Sequence, residues 1–281
     1  MVKLGFHISI AGSIDLAVDR ALELSCDTFQ IFTRNPRSWA TRALKEVEVE
    51  SFREKRSVSG INPAYGHMPY ILNLASPHKR IYNQSIASLV TGLGRCDSLG
   101  LPMLVTHIGS HMGKGSEAGV ARVIEALNKA FERDGSEVEV LLETGSGFTN
   151  SVGSTFEELR RILDGVVEKR RVAVCFDTCH TFVAGYELRS SEGLGKTLDA
   201  FDRFIGLDRL KLVHLNDSVG SFRSGKDHHE HIGLGEIGVR GFRLIVNSRL
   251  SRVPMIMETP IDDRRGNQGN MEVVRGLLGQ N

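Results

Sequence analysis

The sequence predicts an α/β protein with one domain, residues 1–281, folded as a (β/α)8 TIM barrel. Short aliphatic or β-branched runs recur eight times, and each is followed by turn residues and then by an amphipathic stretch. The runs are apolar at both odd and even positions, which is typical of parallel strands covered on both faces. Repeats of roughly 30 to 45 residues in a chain of this length indicate a closed barrel, and a doubly wound open sheet is the alternative.

The eight runs predict eight strands. They cover residues 4–9, 28–33, 64–68, 103–109, 138–144, 172–178, 210–217 and 254–260. The third run, AYGHM, has the weakest strand pattern because Pro63 and Gly66 lie beside or within it.

Three of the segments between these strands have the apolar period of amphipathic helices. They cover residues 12–25, 117–133 and 154–171. Ser154 and Glu157 have the spacing of a capping box, so we expect the last of these helices to begin at Ser154.

Composition excludes several classes of protein. The 281 residues are 41% hydrophobic, 25% charged and carry a net charge of +1, so a polyanionic partner must be bound by a local patch. No run approaches the roughly 18 apolar residues of a membrane span, and the first residues do not resemble a signal peptide. Four cysteines in this length fit free thiols in a reducing cytosol, so we expect a cytoplasmic protein.

Side chains that can bind metal lie at or near the C-terminal ends of six predicted strands. They are His67, His107, Glu143, Asp177, His214 and Glu258. In a barrel these strand ends converge on one rim, where catalytic residues are found. One such residue is usually satisfied by backbone or water, but six at equivalent positions would be costly without a cation. The pattern therefore predicts a metal site at this rim.

The segment CFDTCHTFVAGY, residues 175–186, contains four possible ligands. Asp177 occupies the rim position of its strand, and Cys175, two residues earlier, should lie one layer deeper as a small buried hydrophobe. We predict that Asp177 and His180 are ligands. Cys179, in the turn beside His180, remains an alternative ligand.

A second cluster lies in the loop after the seventh strand, SGKDHHEHIGLGEIG, residues 224–238. Asp227 and His229 alternate along the chain and can face the same way from an extended segment. His228 and His231 compete for the same role.

These motifs, in this order, resemble the endonuclease IV family of zinc-dependent apurinic/apyrimidinic endonucleases. The motifs are GHMPYILNLASP, THIGSHMGKG, CFDTCHTFVAGY, VHLNDS, KDHHEHIGLGEIG and MIMETP. The resemblance covers nearly the whole chain, from GFHISIAGSIDLAV onward. It implies a TIM barrel with three zinc ions at the C-terminal rim.

The resemblance also implies nine ligands in three groups, one for each zinc ion. They are His67, His107 and Glu143 for the first; Glu143, Asp177, His214 and Glu258 for the second; His180, Asp227 and His229 for the third. Glu143 would bridge two ions, and we expect it to be the catalytic residue. His7 and His111 would contact ligands or a phosphate without binding metal.

The implied partner is double-stranded DNA containing an abasic site. A monomer would hydrolyse the bond 5′ to the lesion, leaving a 3′-hydroxyl and a 5′-deoxyribose phosphate. Arg37 would insert at the lesion, with Tyr70 and Ile71 as wedge residues in the minor groove; otherwise Trp39, Tyr70 and Ile71 are ordinary packing of a lid. Where the family commonly has Asp-Arg-His, this chain has a histidine at 228, and we predict that His228 contacts a DNA phosphate.

Two other functions fit part of the pattern. Glu143, Asp177, His214 and Glu258 alone resemble the single-metal tetrad of sugar isomerases and epimerases on the same barrel. That class does not need the five remaining ligands. An inactive DNA-binding or scaffold protein is the third possibility, and its mark would be a missing ligand. A one-residue shift that makes His228 the ligand in place of His229 also stays open.

Overall fold

A computed structural model describes residues 2–280 and contains a closed barrel of eight parallel strands. The barrel strands are β1 Leu4–Ile8, β2 Thr28–Phe32, β3 Ala64–His67, β4 Met103–Thr106, β5 Glu139–Glu143, β6 Val172–Asp177, β7 Leu210–His214 and β10 Met255–Met257. They follow one another around the barrel in chain order, and β10 pairs with β1 to close it. The barrel prediction is confirmed, including its third strand, and the open sheet is wrong.

Two further strands lie outside the barrel. β8, Asp217–Ser218, pairs antiparallel with β9, His229–Glu230, to form a short ribbon after β7. This ribbon belongs to the loop that carries the predicted ligands of the seventh repeat. No helix within residues 2–280 is long and apolar enough to cross a membrane.

Helices separate the strands and cover the outside of the barrel. They are α1 Leu16–Glu23, α2 Glu46–Ser59, α3 Lys79–Leu99, α4 Ser116–Phe131, α5 Phe156–Gly165, α6 Thr178–Ala184, α7 Ser191–Phe204, α8 Gly238–Val246 and α9 Asn267–Leu277. The main apolar core lies between this layer and the strands.

A smaller apolar cluster fills the inside of the barrel beneath the rim. It contains Tyr65, Val105, Leu141, Ala173, Cys175, Leu212 and Ile256, each from a different strand except Ala173 and Cys175. Cys175 therefore lies in the barrel interior, as predicted. Gly5 of β1 packs so closely on β2 that a Cβ atom there would lie 1.7 Å from the carbonyl oxygen of Thr28.

The predicted start of the helix over residues 154–171 is wrong by one residue. The N-cap of α5 is Thr155, whose hydroxyl accepts a hydrogen bond from the backbone N–H of Glu158. The Glu158 carboxylate accepts from the N–H of Gly153 at 2.8 Å, which ties the residue before Ser154 to the first turn of this helix. The helix ends at Gly165, where extended Val166 follows, and residues 169–171 form a separate 3₁₀ turn.

Candidate metal centre

The six strand-end residues meet at the C-terminal rim. His67, Glu143, Asp177 and His214 are the last residues of β3, β5, β6 and β7, and His107 and Glu258 follow β4 and β10 by one position. Because parallel strands of a barrel end on the same side, the fold brings these side chains together. They form overlapping groups whose donor atoms lie within 4.8 Å of one another.

The first group is His67, His107 and Glu143. The Nε2 atoms of both histidines lie 3.3 Å from Oε2 of Glu143. Nδ1 of His67 lies 2.6 Å from the carbonyl oxygen of Met68, so it donates its hydrogen there. The lone pair of His67 Nε2 is therefore turned toward the carboxylate, as it must be in a metal ligand.

The second group is Glu143, Asp177, His214 and Glu258. Nδ1 of His214 lies 3.0 Å from Glu143 Oε1, 3.3 Å from Glu258 Oε2 and 3.8 Å from Asp177 Oδ2. Three carboxylates converge on one fully buried imidazole. Such a set is costly unless positive charge balances it.

The third group is His180, Asp227 and His229. Nε2 of His180 lies 3.0 Å from Asp227 Oδ1, and Nε2 of His229 lies 3.7 Å from the same oxygen. Both nitrogens are buried, and Asp227 is close to each of them, although neither contact has the geometry of a hydrogen bond. Nδ1 of His180 donates to the carbonyl oxygen of Thr144 at 3.0 Å, and Nδ1 of His229 lies 3.3 Å from that of Glu258. Two imidazole nitrogens beside a carboxylate are a good fit for a cation, which would take the place of the proton on His180.

The pKa shifts at the rim indicate which side chains balance the buried carboxylates when no metal ion is bound. Burial lowers the pKa of His180, but Asp177 and Asp227 outweigh it and raise that pKa well above its usual value. Burial raises the pKa of Glu143, but His107 and His214 outweigh it and hold that pKa well below its usual range. Protonated imidazoles thus balance the carboxylates where a metal ion would otherwise do so.

The structure separates the competing residues of the loop at 224–238. His229 joins His180 and Asp227, whereas the His228 side chain is exposed. His231 is turned away, with Nε2 3.0 Å from Asp262 Oδ1 and Nδ1 3.0 Å from the amide of Asn270.

The two cysteines of the 175–186 segment differ in their surroundings. Cys175 is in the barrel interior, and burial raises its pKa to about 12. Cys179 lies at the start of helix α6, not in a loop turn as expected, and the N-cap of this helix is Asp177. Its sulfur is near donor atoms of Asp177 and His229, so the geometry leaves it as an alternative ligand. Burial raises the pKa of this thiol too, which disfavours the thiolate that binds metal.

Two buried amides at the rim were missed by the sequence reasoning. Asn216 donates to Asp177 Oδ2 at 2.8 Å and accepts from the backbone N–H of Glu258 at 2.8 Å. Gln30 of β2 contacts His214 and Glu258, each at 2.9 Å. Asn216 lies within the motif VHLNDS, and Gln30 is a polar residue inside the apolar run TFQIFT, so both had a signal in the sequence.

His7 and His111 have different surroundings. Nδ1 of His7 is 2.9 Å from Glu258 Oε1, which places His7 beside a predicted ligand. Nδ1 of His111 accepts from the backbone N–H of Gly115 at 3.1 Å, within the loop after β4.

The predicted DNA-contacting residues surround this centre on loops. Tyr70 is 59% exposed, and its ring centroid lies 5.6 Å from that of His107. Tyr70 and His228 line one cleft of about 380 Å³ that opens onto His180, Asp227 and His229.

Ile71 is half-buried beside Tyr70, and Arg37 is exposed on the loop after β2. That loop is held by Arg34, which donates to the carbonyl oxygen of Trp39 at 3.0 Å and to Thr41 Oγ1 at 2.6 Å.

Comparison with known proteins identifies close relatives over the full length. The family model described as "Xylose isomerase-like TIM barrel" matches residues 18–277. A protein from Methanoculleus marisnigri named "Probable endonuclease 4" is 53% identical over 281 residues, which are 99% of this chain and 100% of the relative.

Solved structures agree with this result. The crystal structure of endonuclease IV from Thermus thermophilus has a TM-score of 0.88 and 38% identity, and the match covers 99% of this chain and 100% of that one. A D-tagatose 3-epimerase-like protein has a TM-score of 0.72 at 18% identity, covering 98% and 97% of the two chains, so it shares the fold alone. The chain therefore belongs to the endonuclease IV family.

Proposed function

We propose that this protein is a DNA repair enzyme that hydrolyses the phosphodiester bond 5′ to an abasic site, with three zinc ions bound at the rim of its barrel. Family membership makes it a nuclease and hence a hydrolase. The observation that carries the finer proposal is the geometry of three donor groups, the first two of which share Glu143. A single-metal enzyme would need only one of these groups.

The donor chemistry fits zinc, which prefers imidazole nitrogen and carboxylate oxygen. The first ion would be held by His67, His107 and Glu143; the second by Glu143, Asp177, His214 and Glu258; the third by His180, Asp227 and His229. Bound zinc would lower the pKa of an attacking water and neutralise charge on the phosphate and on the departing oxygen. The hydrogen bonds from Nδ1 of His67 and His180 to backbone carbonyls prepare both rings for this role.

Residues of the loops would bind the substrate and exclude bulk water. The exposed Tyr70 ring, next to His107, is placed to stack on a base or fill the gap left by the missing one. Ile71 would pack beside it as a wedge, and Arg37 would reach the minor groove from the loop after β2. His228, in the cleft with Tyr70, would donate a hydrogen bond to a phosphate oxygen.

The products would be a 3′-hydroxyl end and a 5′-deoxyribose phosphate. We further propose that the enzyme acts as a monomer in the cytoplasm. Abasic sites suit this centre because extruding a sugar that has no stacked base costs less than extruding a complete nucleotide.

A sugar isomerase or epimerase is the second candidate, supported by the shared barrel. It would use Glu143, Asp177, His214 and Glu258 with one metal ion. A single-metal site gives no role to Nε2 of His180 and Nε2 of His229, which are buried beside Asp227. Counting metal ions per chain separates the two functions.

The test is incision of an end-labelled duplex with one abasic-site analogue, combined with zinc analysis of the same sample. We expect a single cut 5′ to the analogue, a 3′ end that a polymerase extends, and about three zinc ions per chain. An undamaged duplex of the same sequence is the matched control. No incision of the analogue, or one metal ion together with interconversion of a keto sugar, would contradict the proposal.

A further inference from the structure

The side chain of Gln30 lies inside the barrel and touches three residues of the rim. Gln30 is fully buried on β2, in register with His7 of β1 and Tyr65 of β3. Its Oε1 lies 2.9 Å from Nε2 of His214, and its Nε2 lies 2.9 Å from Oε1 of Glu258. The same nitrogen is 2.9 Å from Nδ1 of His7. A buried amide with these contacts determines which ring nitrogen of the neighbouring histidine carries its hydrogen.

The contact with Glu258 determines which way the amide faces. An ionised carboxylate only accepts hydrogen bonds, so the NH₂ group of Gln30 faces Glu258 and its carbonyl oxygen faces His214. A carbonyl oxygen also only accepts, so His214 carries its hydrogen on Nε2. Its Nδ1 then faces oxygens of Glu143, Glu258 and Asp177 at 3.0, 3.3 and 3.8 Å.

We propose that Gln30 is a positioning residue for the second metal ion, because it holds the hydrogen of His214 on Nε2 and thereby presents the Nδ1 lone pair to the ion. The inference rests on the proposed function, since it takes a metal ion to lie between His214 and the three carboxylates. Backbone carbonyls orient His67 and His180 in the same way. For His214 this role belongs to a side chain, so a single substitution can remove it.

Gln30 also orders the carboxylate that shares this ion. Its NH₂ group engages Oε1 of Glu258, which leaves Oε2 directed at His214 Nδ1, 3.3 Å away. Nδ1 of His7 also lies 2.9 Å from this carboxylate oxygen, so His7 carries its hydrogen on Nδ1 and donates it to Glu258 beside the Gln30 amide. Replacing Gln30 should therefore loosen two ligands of one ion and none of the others.

The test compares zinc affinity in the wild type, Gln30→Met and Thr28→Val, by competing the metal-free proteins against a chromophoric chelator. Methionine has a similar length but cannot accept from His214. We expect Gln30→Met to bind two ions as the wild type does and one ion about 10- to 100-fold more weakly. Thr28, on the same strand and also buried, donates to the carbonyl oxygen of Pro63 at 2.7 Å, so Thr28→Val controls for a lost buried hydrogen bond.

Nitrogen NMR of the imidazoles gives a second readout that does not depend on the variants folding. In the zinc-loaded wild type the hydrogen of His214 should be on Nε2. A hydrogen on Nδ1 in the wild type would overturn the inference, as would equal affinities for all ions in wild type and Gln30→Met. A wild type that binds no zinc would instead overturn the proposed function.

Discussion

Glu143 is the residue that joins the first two donor groups, because each of its oxygens serves a different one. Oε2 faces His67 and His107 at 3.3 Å, and Oε1 faces His214 at 3.0 Å. The carboxylate is nearly fully buried at the end of β5. Its negative charge is what would allow two cations to lie close together.

Glu143→Gln should therefore abolish incision while the fold is kept. Glutamine has the same shape, but its NH₂ group cannot ligate a cation, so we expect incision of an abasic duplex to fall by several orders of magnitude. Circular dichroism and the zinc content of the same preparation are the controls. Activity within about tenfold of the wild type would exclude the bridging role.

His228→Arg tests the predicted phosphate contact. Arginine is charged at every assay pH, so we expect tighter binding of an abasic duplex and a log–log salt slope that becomes more negative by about 0.9, the value for one additional phosphate contact. Zinc content should stay the same, because His228 is exposed and His229 is the residue grouped with His180.

The matched variant is His229→Ala, which should lose one zinc ion and most activity. Loss of zinc in His228→Arg together with a mild His229→Ala would mean that His228 is the ligand.

Single residues were predictable from the sequence where the strand pattern placed them. All six strand-end residues meet at the rim because their positions depend only on where each strand ends. Gln30 and Asn216 stand out in the sequence as polar residues, but their contacts were not predictable because the partners are far along the chain: Gln30 is 184 residues from His214. Nothing in the local pattern of β2 reveals such a contact.

At the scale of elements, the ribbon of β8 and β9 determines where the third donor group lies. Asp217 of β8 is buried, and its Oδ1 accepts from the backbone N–H groups of Ser218 and Ile237 at 2.8 and 3.0 Å. Its Oδ2 accepts from the N–H groups of Gly233, Gly235 and Gly238 at 2.9, 3.0 and 3.3 Å. One carboxylate thus holds both ends of the loop that carries Asp227 and His229.

Asp217→Asn should destabilise the protein and weaken the third zinc ion selectively. In asparagine an NH₂ group replaces one of the two carboxylate oxygens. The backbone N–H groups on that side then face a donor instead of an acceptor, so we expect a loss of about 2–4 kcal/mol in the free energy of unfolding. Chemical denaturation and zinc titration measure both effects. Asp208→Asn, an exposed site before β7, is the control and should be neutral. If Asp217→Asn matched that control, the loop would not depend on this carboxylate.

Elements were predicted well where periodicity defines them and less well at their ends. The helix at 154–171 became α5 with a 3₁₀ turn, because Gly165 and the β-branched Val166 interrupt it. The short helix α6 has only seven residues, too few to give a period, and its start depends on Asp177 accepting from the N–H of His180 at 2.7 Å. The ribbon strands have two residues each, and the sequence carries no period for them.

At the scale of the whole molecule, metal removal should make stability depend on pH in a defined way. The raised pKa values of His180 and His214 stabilise the metal-free fold fully below 6.5, and this contribution is lost as pH rises through the folded values. The lowered pKa values of Glu143 and Glu258 stabilise it fully above 4.5, and this is lost as pH falls. The two contributions are complete together between about pH 4.5 and 6.5. Burial lowers the pKa values of His7 and His107, which costs stability as pH falls below 6.5, so the optimum lies toward the upper end of this window.

The chelated protein should therefore melt at its highest temperature in that window and lose stability toward pH 8. The zinc-loaded protein should not show the alkaline loss, because ligation keeps the carboxylates neutralised when the imidazoles are deprotonated. Thermal denaturation of both forms from pH 4 to 9 tests this. A chelated protein that is most stable at pH 8 would contradict the charge balance described for the rim.

The burial of all four thiols has a consequence for how the enzyme withstands chemical stress. Cys26, Cys96, Cys175 and Cys179 are buried, and burial raises the pKa of each. Peroxide attacks the exposed thiolate, and none of these side chains offers one. Oxidants that damage bases and create abasic sites would find no reactive sulfhydryl on the protein proposed to repair them, so the enzyme would stay active while the lesions accumulate.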